Sequence, residues 1–343
     1  MNHASLSLPR SVLDLCPVAS DGSPTRSIHE SVVLAQRAEE LGYGRFWIAE
    51  HHNMPSIATS SPEILLTHVA GKTSRIRVGA GGIMLPNHTP LKVVEIFRTL
   101  AALFPGRIDL GLGRAPGTDP VTSAALRRDR AHPNELLAEL MAFATHAFPE
   151  EHPFRSVVAQ PADADLPPIW MLGSTTEGAK IAAALGVGYA FAGHFAMKHA
   201  HEALALYREL FTASDAGEVR PPASSGRKSP YAILALSVVC GEDDAHAQRL
   251  ARPGKIAFAR AATGERGPLP TVEEAARMPV SAAERAAEAD MLAGAIVGGP
   301  DTVRDAIRRA VADHGADEVM IATLVPDHTE RIRSYERIAA LFS

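Results

Sequence analysis

The sequence predicts a single α/β domain, a (β/α)8 TIM barrel with insertions at about 214–230 and 264–296. Three observations predict it. Strand-like and helix-like segments alternate along the chain, and in its first third the strand ends near residues 16, 50, 82 and 114 lie 34, 32 and 32 positions apart. A parallel strand, its crossover helix and two turns need about 30 residues. Continued to the end, the alternation yields eight strands and about eight helices, the number a closed barrel requires. The rival, a doubly wound sheet, would carry a Gly-x-Gly-x-x-Gly turn after its first strand. The turn here is Cys16-Pro17-Val18-Ala19-Ser20-Asp21-Gly22, and the later Gly111-x-Gly113 meets Pro116 at the third glycine place.

Strand one is read at 12–16, and the helix at 27–41 follows from Ile28, Val32, Ala35, Ala38 and Leu41, stopping at Gly42. Strand two is the apolar run Phe46-Trp47-Ile48-Ala49, and the next helix begins at Pro62, with Ser61 as a candidate N-cap. Strand three is 76–80, followed by an amphipathic helix at 90–104 that Pro105-Gly106 ends; strand four is 108–113. The second half continues with strands at 168–172, 187–192, 232–239 and 318–325. Its helices fall at 175–185, 196–211, 243–262, 301–314 and 329–342. The 243–262 helix is expected to break near Pro253-Gly254, and 264–279 reads as loop.

Bulk properties narrow the function. A formal charge of −5, with 34 basic and 39 acidic residues, gives no footprint for nucleic acid. No apolar run reaches the ~20 residues of a membrane span. The amino terminus lacks a signal-peptide pattern. Two distant cysteines, Cys16 and Cys240, fit a reducing compartment and no disulfide framework. A soluble, cytoplasmic protein is expected.

Candidate chemistry gathers at the carboxyl ends of the strands, where barrel active sites sit. Glu50-His51-His52 ends strand two. A histidine there can act as base, proton donor or hydrogen-bond partner, or the pair can simply cap the strand. A metal site is disfavoured, because adjacent residues of an extended strand point to opposite faces. Gly81-Gly82, after Val78-Gly79-Ala80, leaves bare backbone on which a flat group could lie, or else marks a bulge. Arg114 stands at the mouth of strand four and suits a phosphate or carboxylate, or a salt bridge with a neighbouring loop; Arg107, at the other end, reads as structural. Gly173-Ser174-Thr175-Thr176 opens the helix after strand five, either as an anion site or as an ordinary N-cap. His194 ends strand six in the position that His51 holds on strand two.

Taken in order, these segments resemble the bacterial luciferase-like monooxygenases. The residues that carry the likeness are Phe46-Trp47-Ile48-Ala49-Glu50-His51-His52-Asn53, the run from Val78 to Pro86 and the run from Gly106 to Gly117. Trp170-Met171-Leu172-Gly173-Ser174, Ala190-Phe191-Ala192-Gly193-His194-Phe195 and Val297-Gly298-Gly299-Pro300 are similar to the single-chain, luciferase-like FMN/NADH-linked oxidoreductases within that family. The resemblance implies a barrel that holds reduced FMN, supplied by a separate NAD(P)H:flavin reductase. It implies a reaction with O2 through a flavin peroxide that oxidises a small organic substrate. It assigns His51 to catalysis. Gly81 and Gly82, joined by a cis peptide, would underlie the flavin ring, with residues 14–18 beside it. Arg114, Gly173, Ser174 and Thr175 or Thr176 would hold its phosphate. His52 and His194 are expected in the substrate pocket, no metal is expected, and a homodimer through the second and third helices is implied. Where luciferase has a glutamate this chain has Gly173, and where luciferase has a second phosphate-binding arginine it has Asn134; Arg127 or Arg128 is the possible substitute. The alternatives are a deazaflavin-dependent hydride transfer on the same barrel, disfavoured by the lack of a basic rim cluster, and a non-catalytic flavin-binding protein.

Overall fold

The computed structural model describes residues 5–126, 132–212, 226–262, 264–279, 285 and 294–342. Eight parallel strands close into a barrel: β1 (Arg10–Asp14), β2 (Arg45–Ile48), β3 (Arg77–Met84), β4 (Ile108–Gly113), β5 (Ile169–Gly173), β6 (Gly188–Phe191), β7 (Ala232–Cys240) and β9 (Glu318–Ala322). Neighbours pair in that order, and β9 pairs with both β7 and β1, which closes the ring. The predicted strand at 318–325 is therefore the last stave.

The strands alternate in and out with the period of two that pleating imposes. Leu13, Trp47, Ala49, Trp170, Ala190, Ile233, Ala235, Met320 and Ala322 form the inner core. Trp47 and Trp170 meet edge to face with centroids 5.6 Å apart. Gly79 and Gly188 make room for them: a Cβ there would stand 2.5 Å from Trp47 Nε1 and 2.3 Å from Trp170 Cε3. The outward residues, such as Val12, Phe46, Ile48 and Val78, pack under the helices in a larger core.

The amino-terminal end of the barrel is plugged by charge. Asp109, fully buried, accepts from Arg45 at 2.7 Å, Arg77 at 2.6 Å and Trp47 Nε1 at 3.1 Å. Arg45 also reaches Glu318 at 3.1 Å, and Tyr231 donates to Glu318 at 2.9 Å. Arg107 is structural as expected, donating to the carbonyls of Ala70, Thr73 and Ile76.

The helices between strands include α1 (Pro24–Glu40), α2 (Pro62–Lys72), α3 (Pro90–Leu103), α4 (Pro120–Leu126), α5 (Pro133–Thr145), α6 (Thr176–Leu185), α7 (Ala200–Leu210), α8 (Asp244–Ala262), α9 (Val272–Arg277), α10 (Pro300–His314) and α11 (His328–Ala340). Several features differ from the sequence expectation, beginning with α4 and α5, which lie between β4 and β5 where no helix is read. α8 runs through Pro253 without a break. Its apolar residues Ala247, Leu250, Ala251, Ile256 and Ala259 are buried, and that packing outweighs one lost backbone bond. The supposed loop 264–279 contains α9, held by a capping box between Thr271 and Glu274. A ninth strand, β8 (Ile296–Gly298), pairs with the end of β7, through Val238, Val239 and Cys240. It is only three residues long, too short for a periodic signal. Most of the insertion expected at 214–230, the stretch from 280 to 293 apart from 285, and Arg127 and Arg128 lie outside the described residues.

Among the described residues, no helix is long and apolar enough to cross a membrane.

Candidate active site

The expected site residues stand at the carboxyl ends of β2, β3, β4, β5 and β6, around one mouth of the barrel. Glu50 is the best-connected group there. Its side chain is fully buried and accepts from the Met84 amide at 2.9 Å and Asn87 Nδ2 at 3.0 Å. His88 Nε2 lies 2.9 Å from one carboxylate oxygen and His52 Nε2 lies 2.9 Å from the other. Burial pushes the Glu50 carboxyl up, but the bonds from His88, Asn87 and the Met84 amide outweigh it, so the net shift is downward. His88 shifts the opposite way: desolvation opposes its charge, the contact with Glu50 wins, and its pKa is raised. The two form an ion pair that pins the turn after β3 to the end of β2. Asn87 extends the pin to β4 by donating to the Pro116 carbonyl at 2.9 Å.

His52 is thus turned toward Glu50, with its carbonyl taken by Thr118 Oγ1 at 2.8 Å. His51 is the free one of the pair. Its backbone amide is fixed on the Thr59 carbonyl at 2.9 Å, while its buried Nδ1 has no partner among the described residues. Burial depresses its pKa to about 4, against a raising contribution from Glu50 and with a small lowering one from His52. His194 has the same character: an unpartnered buried Nδ1 and a pKa of about 4, set by burial and then by His51.

The Gly81–Gly82 peptide bond is cis, and the β3–β4 register shifts between Ala80 and Ile83. Side chains are excluded there by the barrel itself. A Cβ on Gly81 would meet Leu13 Cδ1 at 2.7 Å, and one on Gly82 would meet the Gly111 carbonyl oxygen at 2.8 Å. The bulge and the bare backbone expected as alternatives are one feature.

Arg114 leaves β4 toward the end of β5. Its Nη1 contacts Asn134 Oδ1 at 3.5 Å, and its buried Nε has no partner among the described residues. Gly173 ends β5 and Thr175 is the N-cap of α6, with no hydrogen bond from its side chain to the helix. The first-turn amides of α6 therefore lack the hydroxyl cap that was the alternative reading of Ser174 and Thr175. Tyr189 Oη, from β6, donates to the Thr175 carbonyl at 3.0 Å, and Arg114 lies near enough to the phenol to bias its ionisation. A guanidinium beside an uncapped helix N-terminus is an arrangement that suits an anion.

Sequence reading missed His88, Asn87, Tyr189 and Asp119. His88 was discoverable as an ionisable residue in the loop right after the glycine pair. Asp119 joins three loops: it accepts from Asn53 at 3.0 Å, Thr122 Oγ1 at 2.8 Å and Arg266, beyond α8, at 2.8 Å. Nothing local in the sequence marks that contact.

A parallel barrel with an arginine, an uncapped helix start, a cis glycine pair and histidines gathered at its carboxyl mouth defines a class, the (β/α)8 proteins that carry their polar sites at that end. The luciferase-like monooxygenase family model matches residues 10–318, and this chain belongs to that family. It is 40% identical over 330 residues to the protein YvbT of Bacillus subtilis strain 168, covering 96% of this chain and 95% of that one. It is 42% identical over 186 residues to the N-acetyl-S-alkylcysteine monooxygenase of the same organism, covering 53% of this chain and 56% of that one. The crystal structure of apo-MsnO8 superposes with a TM-score of 0.85 at 35% identity, covering 98% of both chains.

Proposed function

We propose that this chain is a flavin-dependent monooxygenase that uses reduced FMN and O2 to oxidise a small organic substrate. The observation that carries the reading is the Arg114 guanidinium, with its buried Nε unpartnered among the described residues, beside the uncapped start of α6, at a mouth that also holds His51. The residues fit FMN. Arg114 and the amides at Gly173, Ser174, Thr175 and Thr176 would hold its phosphate. The bare backbone of Gly81 and Gly82 would lie against its ring, and His51 would face its reactive edge. Bound and reduced, FMN would supply the electrons that activate oxygen.

The chain's own part is orientation and proton control. His51, uncharged at neutral pH, can hold or deliver one proton through an imidazole nitrogen without placing a fixed charge in the mouth. Glu50 and His88 hold the loop ends so that this imidazole keeps its place. His52 and His194 belong to the substrate side. A separate NAD(P)H:flavin reductase would deliver reduced FMN, and few cysteines support a reducing, cytoplasmic setting. A homodimer is proposed through the faces of α2 and α3, where Ile64 is 70% exposed beside Ile96.

The test is titration of the protein with oxidised and reduced FMN, by flavin fluorescence and calorimetry, alongside a deazaflavin. Saturable FMN binding that Arg114→Ala weakens is expected. Absence of FMN binding, or tighter binding of the deazaflavin, overturns the cofactor reading. A His51→Ala variant with full oxygen-dependent turnover would remove the role given to that residue.

A further inference from the structure

β2 and β6 lie four staves apart in either direction around the eight-stranded ring, so they face each other across the barrel. His51 leaves the top of one and His194 the top of the other. Both stand at the same mouth of the barrel, and the His194 ring feels the His51 ring electrostatically. Each is held from behind. His51 is anchored by its amide on Thr59. The His194 ring takes the edge of Phe195, with centroids 4.7 Å apart and planes at 88°. Each leaves a buried Nδ1 with no partner among the described residues. Buried polar atoms are satisfied in most proteins, so a buried orphan at a strand end of the mouth points to a partner that binds there. Two orphans on opposite walls point to a shared one.

The charge around the pair says what that partner is. The ionised groups on nearby strand ends already have partners: Glu50 holds Met84, Asn87, His88 and His52, and Asp14 accepts from the Cys16 amide and thiol. Arg114 belongs to the anion end on β4. A group between the imidazoles meets the Nδ1 of each neutral ring, as an N–H or a lone pair according to the tautomer, and no counter-charge. An ion placed there would lose its hydration without compensation.

The geometry points to His194 as a substrate-positioning residue that grips, together with His51, one uncharged hydrogen-bonding group of the substrate at the mouth of the barrel. The site thus selects molecules that are neutral at the reacting end, such as ketones, amides and the oxygen-bearing products of thioethers. This rests on the flavin reading for the word substrate, but the grip itself can be tested without flavin.

The test uses the full chain labelled with 15N-histidine and three probes of one shape: acetophenone, benzoate and benzamidinium. Acetophenone is expected to shift the ring nitrogens of both His51 and His194 and to bind about tenfold tighter than either ion. His194→Ala should weaken acetophenone about five- to tenfold and abolish the discrimination. His194→Asn, whose amide falls near the place of Nδ1, should recover most of the loss, which a packing role alone would not allow. FMN affinity should be the same in all three proteins. Unchanged acetophenone binding in His194→Ala, benzoate binding as tight as acetophenone, or no binding of any probe to the wild type would each overturn the proposal. Failure of the wild type to bind FMN would overturn the flavin reading and leave the histidine pair to be judged by the probes.

Discussion

Replacing Glu50 by glutamine changes one heavy atom and tests whether the carboxylate organises the mouth of the barrel. Glutamine keeps the volume and one acceptor, but it turns an NH2 toward N–H donors that now point at an oxygen. The carboxylate receives the Met84 amide, Asn87, His88 and His52 at 2.9–3.0 Å with its side chain fully buried. Bonds to a buried charge are worth about 1.5–3 kcal/mol each, and removing one member of a buried pair costs about 3–5 kcal/mol. Because glutamine saves part of the set, about 3 kcal/mol is expected. At about 2.1 cal/mol/K per residue, an unfolding entropy of about 0.7 kcal/mol/K converts this to a fall in Tm of about 4 °C. The effect depends on pH. Glu50 is depressed below the ordinary 4.5, so its contribution is present above that value and fades as pH falls through the folded pKa. His88 is raised above 6.5, so its contribution is complete below that value and fades as pH rises through the folded pKa. The cost of Glu50→Gln should therefore peak between pH 4.5 and 6.5 and shrink toward pH 9, where a neutral His88 can accept from the new amide. Urea denaturation of both proteins across pH 5–9 measures it. A cost below about 1 kcal/mol, or one that is flat with pH, would refute the account of Glu50 as partner of a charged His88.

At the other end of the barrel, Asp109→Asn should cost about 3–5 kcal/mol by denaturation, since it removes the buried charge that Arg77 pairs with and that shares Arg45 with Glu318. FMN affinity should not change, because the site lies at the opposite mouth. Gly82→Ala should damage folding more than Gly81→Ala: its Cβ meets backbone at Gly111, whereas that of Gly81 meets the movable tip of Leu13. Soluble yield and Tm of the two variants decide this. His51 and His194, both held near 4 against an ordinary 6.5, favour the unfolded chain as pH falls through that range, because the unfolded state binds more protons. A His51→Asn/His194→Asn variant should lose less stability than the wild type between pH 7 and 4.5; equal losses in urea would contradict the depressed values.

The sequence by itself determined the barrel. Strand and helix signals are local: a few apolar residues alternating before Glu50, Gly113 or Gly173, and a proline or serine opening the next helix. Their steady pitch leaves closure as the arrangement that buries every strand. It also placed His51, Arg114, Gly173 and His194 at one rim, because in this topology every strand ends on the same side. Only the tertiary structure decided what those residues face. Glu50 and His88 are 38 positions apart, and Asp119 and Arg266 are 147 apart, separations at which no spacing rule operates. His52 looks equivalent to His51 in the chain, yet the turn beyond β2 bonds His52 to Glu50 and leaves the buried Nδ1 of His51 without a partner among the described residues. α8 continues through Pro253, and a three-residue strand adds itself to β7, because packing with distant segments outweighs the weak local preference. The placing of His51 and His194 on opposite sides of one mouth is of the same kind. It depends on two staves lying opposite each other, which the closed ring alone establishes.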